Sequence, residues 1–229
     1  MVFLIKKVFP ITVHLLTASG VVFGFWAMVL ILQGDAANAF RLLALAAVID
    51  SVDGTLARWT DVKRITPEID GALIDNLVDY LTWVFIPLIW AWSFLDIPFL
   101  VSATAILSSV IGFAHIHAKT DDHFFRGFPS CWNLVVLYLY ISGVGVLISS
   151  MIILGLAILV QIPVKFVYPS RTPEFKKLTI SLSIPYILML GVILYLFETT
   201  PAWLIGLSLY YPLYYIAISG YLMRVKSGI

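Results

Sequence analysis

The sequence predicts an all-α integral membrane protein of about eight transmembrane helices, with the N- and C-termini both cytoplasmic. Three observations lead to this fold class. Of the 229 residues, 61% are hydrophobic and 12% are charged, which is about half the charged share of a soluble domain. Apolar runs of about 20 residues recur along the chain, and this is the length of a helix that crosses a bilayer. Finally, thirteen of the fourteen basic residues fall on one side of the predicted membrane.

The apolar runs divide at polar, glycine or proline positions. The first predicted span, residues 11–32, is longer than the apolar core of a signal peptide, so we expect no cleavage at Ala37-Asn38-Ala39. The least polar of the predicted turns is Gly143 to Gly145. The later spans are predicted at 38–58, 71–95, 98–117, 130–146, 148–167, 178–197 and 201–222.

The positions of lysine and arginine predict the orientation. With the N-terminus inside, thirteen of the fourteen basic residues are cytoplasmic and Arg41 faces the other side. The cytoplasmic set is Lys6, Lys7, Arg58, Lys63, Arg64, Lys119, Arg126, Lys165, Arg171, Lys176, Lys177, Arg224 and Lys226. Because both ends of the chain are basic, an even number of spans is favoured. We expect one transmembrane domain over residues 1–229.

Composition also excludes several classes of site. The net charge is +1 and there is no basic tract, so no nucleic-acid partner is expected. A single cysteine, Cys131, rules out an intrachain disulfide and a cysteine-based zinc site. The four histidines do not form a zinc-protease pattern.

The second and third predicted spans each carry two aspartates, although a carboxylate in hydrocarbon is costly. On antiparallel helices, Asp50 and Asp79 would both lie about 12 Å from the cytoplasmic helix ends, with Asp53 and Asp75 closer to those ends. Crowded carboxylates repel one another unless a cation neutralises them. Oxygen ligands without histidine or cysteine favour Mg²⁺, Mn²⁺ or Ca²⁺. The sequence therefore predicts a divalent metal site formed by these four aspartates.

Small residues share the helix faces of the aspartates. Gly54 and Ala57 continue the acidic stripe of the second span, and Gly71 begins the stripe of the third. Small residues for close approach, with Arg58 alongside, suit a phosphate-bearing substrate. A structural salt-bridge cluster is less favoured, because one arginine cannot balance four acids. A cation or proton transporter is also less favoured, because the acids lie toward one membrane face and no inverted repeat is visible.

The aspartates and small residues together form one signature. It reads Asp50-x-x-Asp53-Gly54-x-x-Ala57-Arg58, then Gly71-x-x-x-Asp75-x-x-x-Asp79. This signature resembles that of the CDP-alcohol phosphotransferases. The gap between its two halves is longer than in most members and resembles the bacterial phosphatidylcholine synthase branch. The segments TPEIDGALIDNLVDYLTWVFIP and FFRGFPSCWN also resemble that branch.

The resemblance implies a transferase that condenses CDP-diacylglycerol with choline to give phosphatidylcholine and CMP. It implies a homodimer in the bacterial inner membrane, with an active site, residues 50–79, facing the cytoplasm. One or two Mn²⁺ or Mg²⁺ ions would be held by the four aspartates, and Asp79 would be the base that deprotonates the alcohol. The CDP moiety would be lined by Gly54, Ala57, Arg58 and Gly71. Inositol phosphate, glycerol phosphate or serine stay open as alternative acceptors.

Aromatic and basic residues near the signature supply further candidates. Tyr80 and Trp83 could form cation–π contacts with the trimethylammonium group of choline, with Trp59 and Trp132 next in line. Aromatic residues are also common at membrane interfaces, which is the competing interpretation. Arg126 is a candidate phosphate contact, or an ordinary cytoplasmic charge.

Overall fold

The computed structural model describes residues 2–227, and the side chains of residues 9–225. Three lysines predicted to be cytoplasmic, Lys6, Lys7 and Lys226, have side chains outside this described part. The chain divides into two compact units, the first ending at Ser93 and the second beginning at Phe94.

The first unit is helical throughout its ordered elements. These are α1 (Val2–Leu32), α2 (Ala36–Trp59), α3 (Val62–Ile65), α4 (Gly71–Asp79), a π-helical turn (Tyr80–Phe85) and α5 (Ile86–Phe94). Helix α1 contacts α2, α3, α4 and the π-helical turn. The first helix therefore packs against every element that carries the acidic signature.

Aspartate caps fix the starts of the two acidic helices. Asp35 accepts hydrogen bonds from the side-chain and backbone amides of Asn38 before α2, at 2.8 and 3.0 Å. These bonds hold the pKa of the Asp35 carboxyl below its ordinary value. Asp70 accepts from the backbone N–H groups of Ala72 and Leu73 before α4, both at 3.1 Å. Each cap satisfies backbone donors that the first helical turn leaves unpaired.

Glycines on α1 allow the close approach of the third predicted span. A Cβ atom on Gly20 would lie 2.5 Å from Cγ1 of Val78, and one on Gly24 would lie 2.9 Å from Cδ1 of Ile86. The Gly20-x-x-x-Gly24 pair thus places the backbone of α1 directly against these side chains, as small residues do between membrane helices.

Trp90 on α5 connects the end of the third predicted span to the start of α2. Its side chain is completely buried, and its indole N–H donates to the carbonyl of Ala36 at 3.0 Å. The ring of Phe40 packs edge-on against it, with the centroids 5.1 Å apart. A buried tryptophan with its N–H satisfied fixes the position of α5 against the start of α2.

The second unit combines helices with one small sheet. Its elements are α6 (Phe99–Ala114), β1 (Phe124–Arg126), α7 (Trp132–Ile141), α8 (Val146–Gln161), β2 (Lys165–Val167), α9 (Lys176–Leu196), a 3₁₀ turn (Phe197–Thr199), α10 (Ala202–Ser208) and α11 (Tyr210–Ser227). Strands β1 and β2 pair in antiparallel register, with Phe125 opposite Phe166. Helix α6 packs on α8, and α11 packs on β2.

The sixth predicted span, 148–167, is wrong at its C-terminal end. Helix α8 ends at Gln161, and the last three predicted helical residues form β2 instead. Pro163 explains the break, because a proline disfavours helical backbone in the residue before it, and Ile162 is extended. The strand then pairs with β1 beside Gly127. This glycine has φ +75°, and a Cβ on it would overlap the carbonyl of Val160.

The helical membrane class is confirmed. Within the described residues, four helical stretches are long and apolar enough to cross a membrane, and three shorter apolar helices accompany them. The long stretches are Phe9–Leu32, Gly71–Phe94, Lys176–Thr199 and Ala202–Val225. Each predicted span overlaps a helix. Eight crossings and the side of each terminus stay predictions.

Candidate active site

Helices α2 and α4 bring three of the four signature aspartates together. Carboxylate oxygens of Asp50, Asp75 and Asp79 all lie within 4.8 Å of one another, and the three residues are half-buried. Asp75 and Asp79 are separated by about one helical turn, so both face the same side of α4. The predicted meeting of two acidic helix faces is therefore present in the fold.

Asp53 has a different environment from the other three. It lies on α2, is 3% exposed, and is not part of the set joined within 4.8 Å. Its neighbours include the hydroxyl of Thr17 and the carboxylate of Asp75. Its Oδ2 atom is buried without a hydrogen-bond partner in the part of the chain that the structure describes. A buried carboxylate oxygen that receives no hydrogen bond is costly, and a nearby cation would offset that cost.

These observations fit a hard divalent cation. The donors are carboxylate oxygens that are half-buried and close to one another. Beside them lies Oδ2 of Asp53, which is buried and receives no hydrogen bond from the described residues. Mg²⁺ and Mn²⁺ take such oxygen ligands. Asp50, Asp75 and Asp79 lie close enough together that they could hold one ion, and Asp53 is a neighbour of Asp75.

A π-helical turn follows Asp79 directly, where the sequence predicts a continuous α-helix. The turn covers Tyr80–Phe85 and holds both aromatic candidates, Tyr80 and Trp83, which are half-buried. A π turn places more residues in one helical turn, so it rotates the following side chains relative to a straight α-helix. Such turns are frequent at functional sites.

The two glycines of the signature have different neighbours. A Cβ on Gly54 would lie 3.4 Å from Nη1 of Arg58, whose exposed guanidinium donates from Nη2 to Thr55 at 2.9 Å. A Cβ on Gly71 would lie 2.9 Å from Cε1 of His14. A mobile arginine side chain thus lies over Gly54, whereas a buried imidazole lies over Gly71. Ala57 is half-buried on the same helix as Gly54.

Two residues near the site were not predicted from the sequence: His14 on α1, and Thr66 in the connection between α2 and α4. His14 Nε2 lies 3.0 Å from Oγ1 of Thr66, and both residues are buried. The sequence contained one signal for this contact, since a lone histidine in an apolar span needs a polar partner. Asp70 was a further missed residue, although an aspartate directly before a helix is a common cap.

The remaining aromatic candidates have packing contacts of their own. Trp59 is 78% exposed and meets Phe9 edge-on, with the ring centroids 6.4 Å apart. In the second unit Trp132 is completely buried, and its indole N–H donates to Ser109 at 2.8 Å. Phe128 packs edge-on against it at 5.2 Å between the centroids. Trp132 is therefore a core residue of that unit.

Arg126 lies on β1 in the second unit. Its Nη2 donates to the carbonyl of Gln161 at 3.5 Å, and within the described residues no carboxylate lies at ion-pair distance from it. Nearby, Asp122 is paired with Lys165 at 2.7 Å. The Arg126 guanidinium therefore retains hydrogen-bonding capacity for an anion.

Proteins named phosphatidylcholine synthase are similar to the chain over most of its length. The protein of that name from Borreliella burgdorferi is 40% identical over 177 residues, which cover 75% of each chain. The chain belongs to the phosphatidylcholine synthase family. The relative from Legionella pneumophila is 42% identical over 164 residues, covering 69% of this chain and 64% of its own. The relative from Pseudomonas aeruginosa is 33% identical over 186 residues, covering 80% and 78%. No family model matches the chain.

Membership in the phosphatidylcholine synthase family decides between the function classes. Its members are phosphatidyltransferases, so the prediction of an enzyme is confirmed. The apolar helices agree with an enzyme of the membrane. The carboxylate cluster lies on the two halves of the signature that carried the resemblance.

Proposed function

We propose that the chain transfers the phosphatidyl group of CDP-diacylglycerol to choline and releases CMP. The observation that carries this proposal is the cluster of Asp50, Asp75 and Asp79 in a chain whose relatives bear the name phosphatidylcholine synthase. Both the cluster and the name point to chemistry on an anionic phosphate substrate.

The proposed reaction exchanges one bond to phosphorus for another. The hydroxyl oxygen of choline bonds to the phosphatidyl phosphorus, and the bond from that phosphorus to the bridging pyrophosphate oxygen breaks. CMP leaves with that oxygen. The carboxylate of Asp79 takes the hydroxyl proton, since an alcohol is a poor nucleophile until it is deprotonated. Its place at the end of α4, directly before the π turn, supports this role.

Asp50, Asp75 and Asp79, with Asp53 beside them, would hold one or two Mn²⁺ or Mg²⁺ ions. A bound metal supplies neutralisation of the pyrophosphate charge and of the charge that develops on CMP. The closeness of the three carboxylates, whose oxygens lie within 4.8 Å of one another, also favours the binding of a cation.

The substrate contacts follow from the same two helices. Gly54, Ala57 and Arg58 on α2, with Gly71 at the start of α4, would line the CDP moiety, and the exposed Arg58 guanidinium would bond its phosphates. Arg126 in the second unit is proposed as a further phosphate contact. The half-buried rings of Tyr80 and Trp83 in the π turn would hold the trimethylammonium group through cation–π contacts.

The membrane setting completes the proposal. A single domain of eight crossings in the bacterial inner membrane, with both termini and the site cytoplasmic, agrees with thirteen of fourteen basic residues on one side. Acyl chains would enter from the bilayer, while choline arrives from the cytoplasm. We propose that the functional unit is a homodimer, as the family resemblance implies.

The test is an acceptor panel with the purified protein in detergent. Radiolabelled CDP-diacylglycerol and Mn²⁺ are supplied with choline, serine, inositol or glycerol phosphate in separate reactions, and the lipid products are separated by chromatography. The expected result is labelled phosphatidylcholine in the choline reaction alone, and none with the Asp79→Asn variant. A labelled product from another alcohol would overturn the choline assignment, and no transfer to any acceptor would overturn the reaction.

A further inference from the structure

His14 is a polar ring buried within the apolar helix α1. It is 6% exposed, and its Nε2 lies 3.0 Å from the hydroxyl oxygen of Thr66, which is 1% exposed. Burying an imidazole and a hydroxyl without partners would be costly, so each satisfies the other. The contact joins α1 to the connection between the two acidic helices.

The Thr66 hydroxyl has two partners, the ring of His14 and the carbonyl of Val62, each at 3.0 Å. The Thr66 hydroxyl has one proton, which it donates to the carbonyl of Val62 at 3.0 Å. Its oxygen is thereby placed to accept from the Nε2–H tautomer of His14. This contact holds the ring at Nε2, and its Cε1–Nδ1 edge faces Gly71 at the start of α4.

That edge of the ring lies over Gly71, the first residue of α4. A Cβ on Gly71 would be 2.9 Å from Cε1 and 3.3 Å from Nδ1 of His14. The imidazole cannot retreat without breaking its bond to Thr66. Any side chain at residue 71 would therefore push α4 away from α1, and Asp75 and Asp79 would move with the helix.

We infer that His14 is a positioning residue that sets the position of α4 against α1. Residue 71 is a glycine because the imidazole occupies the space that a side chain would need. Through Gly71, His14 sets where Asp75 and Asp79 stand relative to Asp50. The inference rests on the proposed function only in taking this carboxylate cluster as the transferase site. It assigns a role in the site to the first helix, which carries none of the signature.

A double-mutant cycle tests the inference on purified full-length protein in detergent. The proteins are the unaltered chain, His14→Ala, Gly71→Ala and the double variant. Thermal stability and direct Mn²⁺ binding, followed by electron paramagnetic resonance, are measured without substrate. Gly71→Ala is expected to lower the Tm and to weaken Mn²⁺ binding about tenfold, because displaced supporting groups cost about 10- to 100-fold in metal affinity. In the His14→Ala background, Gly71→Ala is expected to weaken Mn²⁺ binding by less than about threefold.

Two controls separate positioning from general packing. Gly54→Ala is the matched glycine variant, because among the described residues its Cβ would meet only the flexible guanidinium of Arg58. Its effect on Mn²⁺ binding should be equal with and without His14. His14→Gln keeps an N–H donor for Thr66 on a flexible side chain. The Mn²⁺ affinity of His14→Gln should be within about threefold of that of the unaltered protein, whereas the Mn²⁺ affinity of His14→Ala should be about tenfold lower. If His14→Ala does not fold, Gly71→Ala in the His14→Gln background replaces it, because the flexible amide can move away from a methyl group.

The inference is overturned if Gly71→Ala is equally harmful in both backgrounds, since the ligand or the backbone would then demand the glycine. It is also overturned if His14→Ala binds Mn²⁺ like the unaltered protein. Failure of the proposed function looks different. In that case the unaltered protein transfers no phosphatidyl group or binds no Mn²⁺, while the coupling between His14 and Gly71 in Tm still decides the inference.

Discussion

Replacing Asp75 with asparagine should change stability in opposite directions with and without metal. The substitution Asp75→Asn keeps the size of the side chain and removes one of the three charges of the cluster. In the metal-free protein this removes repulsion from Asp50 and Asp79, so the variant should be more stable than the unaltered chain. With Mn²⁺ present the order should reverse, because a ligand has been lost.

The magnitude follows from the geometry of the cluster. Two unit charges at the 4.8 Å limit of this cluster repel by about 3 kcal/mol at an effective dielectric constant of about 20. Screening at a half-buried site lowers this to about 1 kcal/mol for each pair. Two pairs give about 2 kcal/mol, or a rise in Tm of about 5 °C. Mn²⁺ at a hundred times its Kd raises the free energy of unfolding of the unaltered protein by about 2.7 kcal/mol. The variant should lose this gain.

The assay is a thermal unfolding series in detergent with EDTA or with increasing Mn²⁺. Asp70→Asn is the matched control, because it is the same chemical change five residues earlier on the same segment. Asp70 caps α4 through the N–H groups of Ala72 and Leu73, and asparagine caps equally well. This control should match the unaltered protein in both conditions.

The reasoning fails if Asp75→Asn keeps the full Mn²⁺-dependent rise in Tm. It also fails if the variant is less stable than the unaltered protein in EDTA, because the carboxylate would then be part of a stabilising network rather than a crowded anion. A rise in Tm for Asp70→Asn equal to that of Asp75→Asn would show that the gain comes from overall charge and not from the cluster.

Three further predictions address the base, the choline contact and the topology. Asp79→Asn should bind CDP-diacylglycerol but lose transfer by orders of magnitude, and retained turnover in a single-turnover assay would exclude Asp79 as the base. Tyr80→Ala or Trp83→Ala should raise the choline KM about five- to thirtyfold at unchanged CDP-diacylglycerol KM, and two unchanged values would place the choline site elsewhere. Reporter fusions after Arg224 should indicate the cytoplasm and fusions at Gly34 the opposite side, whereas a C-terminus on the outer side would mean a miscounted span.

The sequence by itself identified the three residues of the carboxylate cluster, Asp50, Asp75 and Asp79, within a predicted set of four aspartates. Helical periodicity places Asp75 and Asp79 on one face, and the positions of Asp50 and Asp79 relative to their helix ends give them matching depths. Hydrophobic length and low charge fix the membrane class. These are properties of local spacing and of transfer between water and lipid, so they can be derived without knowing how helices pack.

The helix ends show where local patterns stop being sufficient. Hydropathy extends the sixth predicted span through Val167, but Pro163 breaks the helix and residues 165–167 pair with β1 instead. An apolar run indicates only that a segment is buried or in lipid. It does not indicate whether a neighbouring strand is available for pairing. The π turn after Asp79 is equally invisible, because an extra residue in one turn leaves the apolar character of the segment unchanged.

Only the tertiary structure decided what surrounds the cluster. The sequence presented Asp53 as equivalent to the other acids, whereas packing buries it beside Thr17 with one oxygen unsatisfied. It presented Gly71 as a residue that lines the substrate, but it contained no sign that His14 from the first helix of the chain lies against this glycine. Residues far apart in sequence meet through helix packing, which depends on the shapes of both surfaces. No pattern within a single segment contains that information.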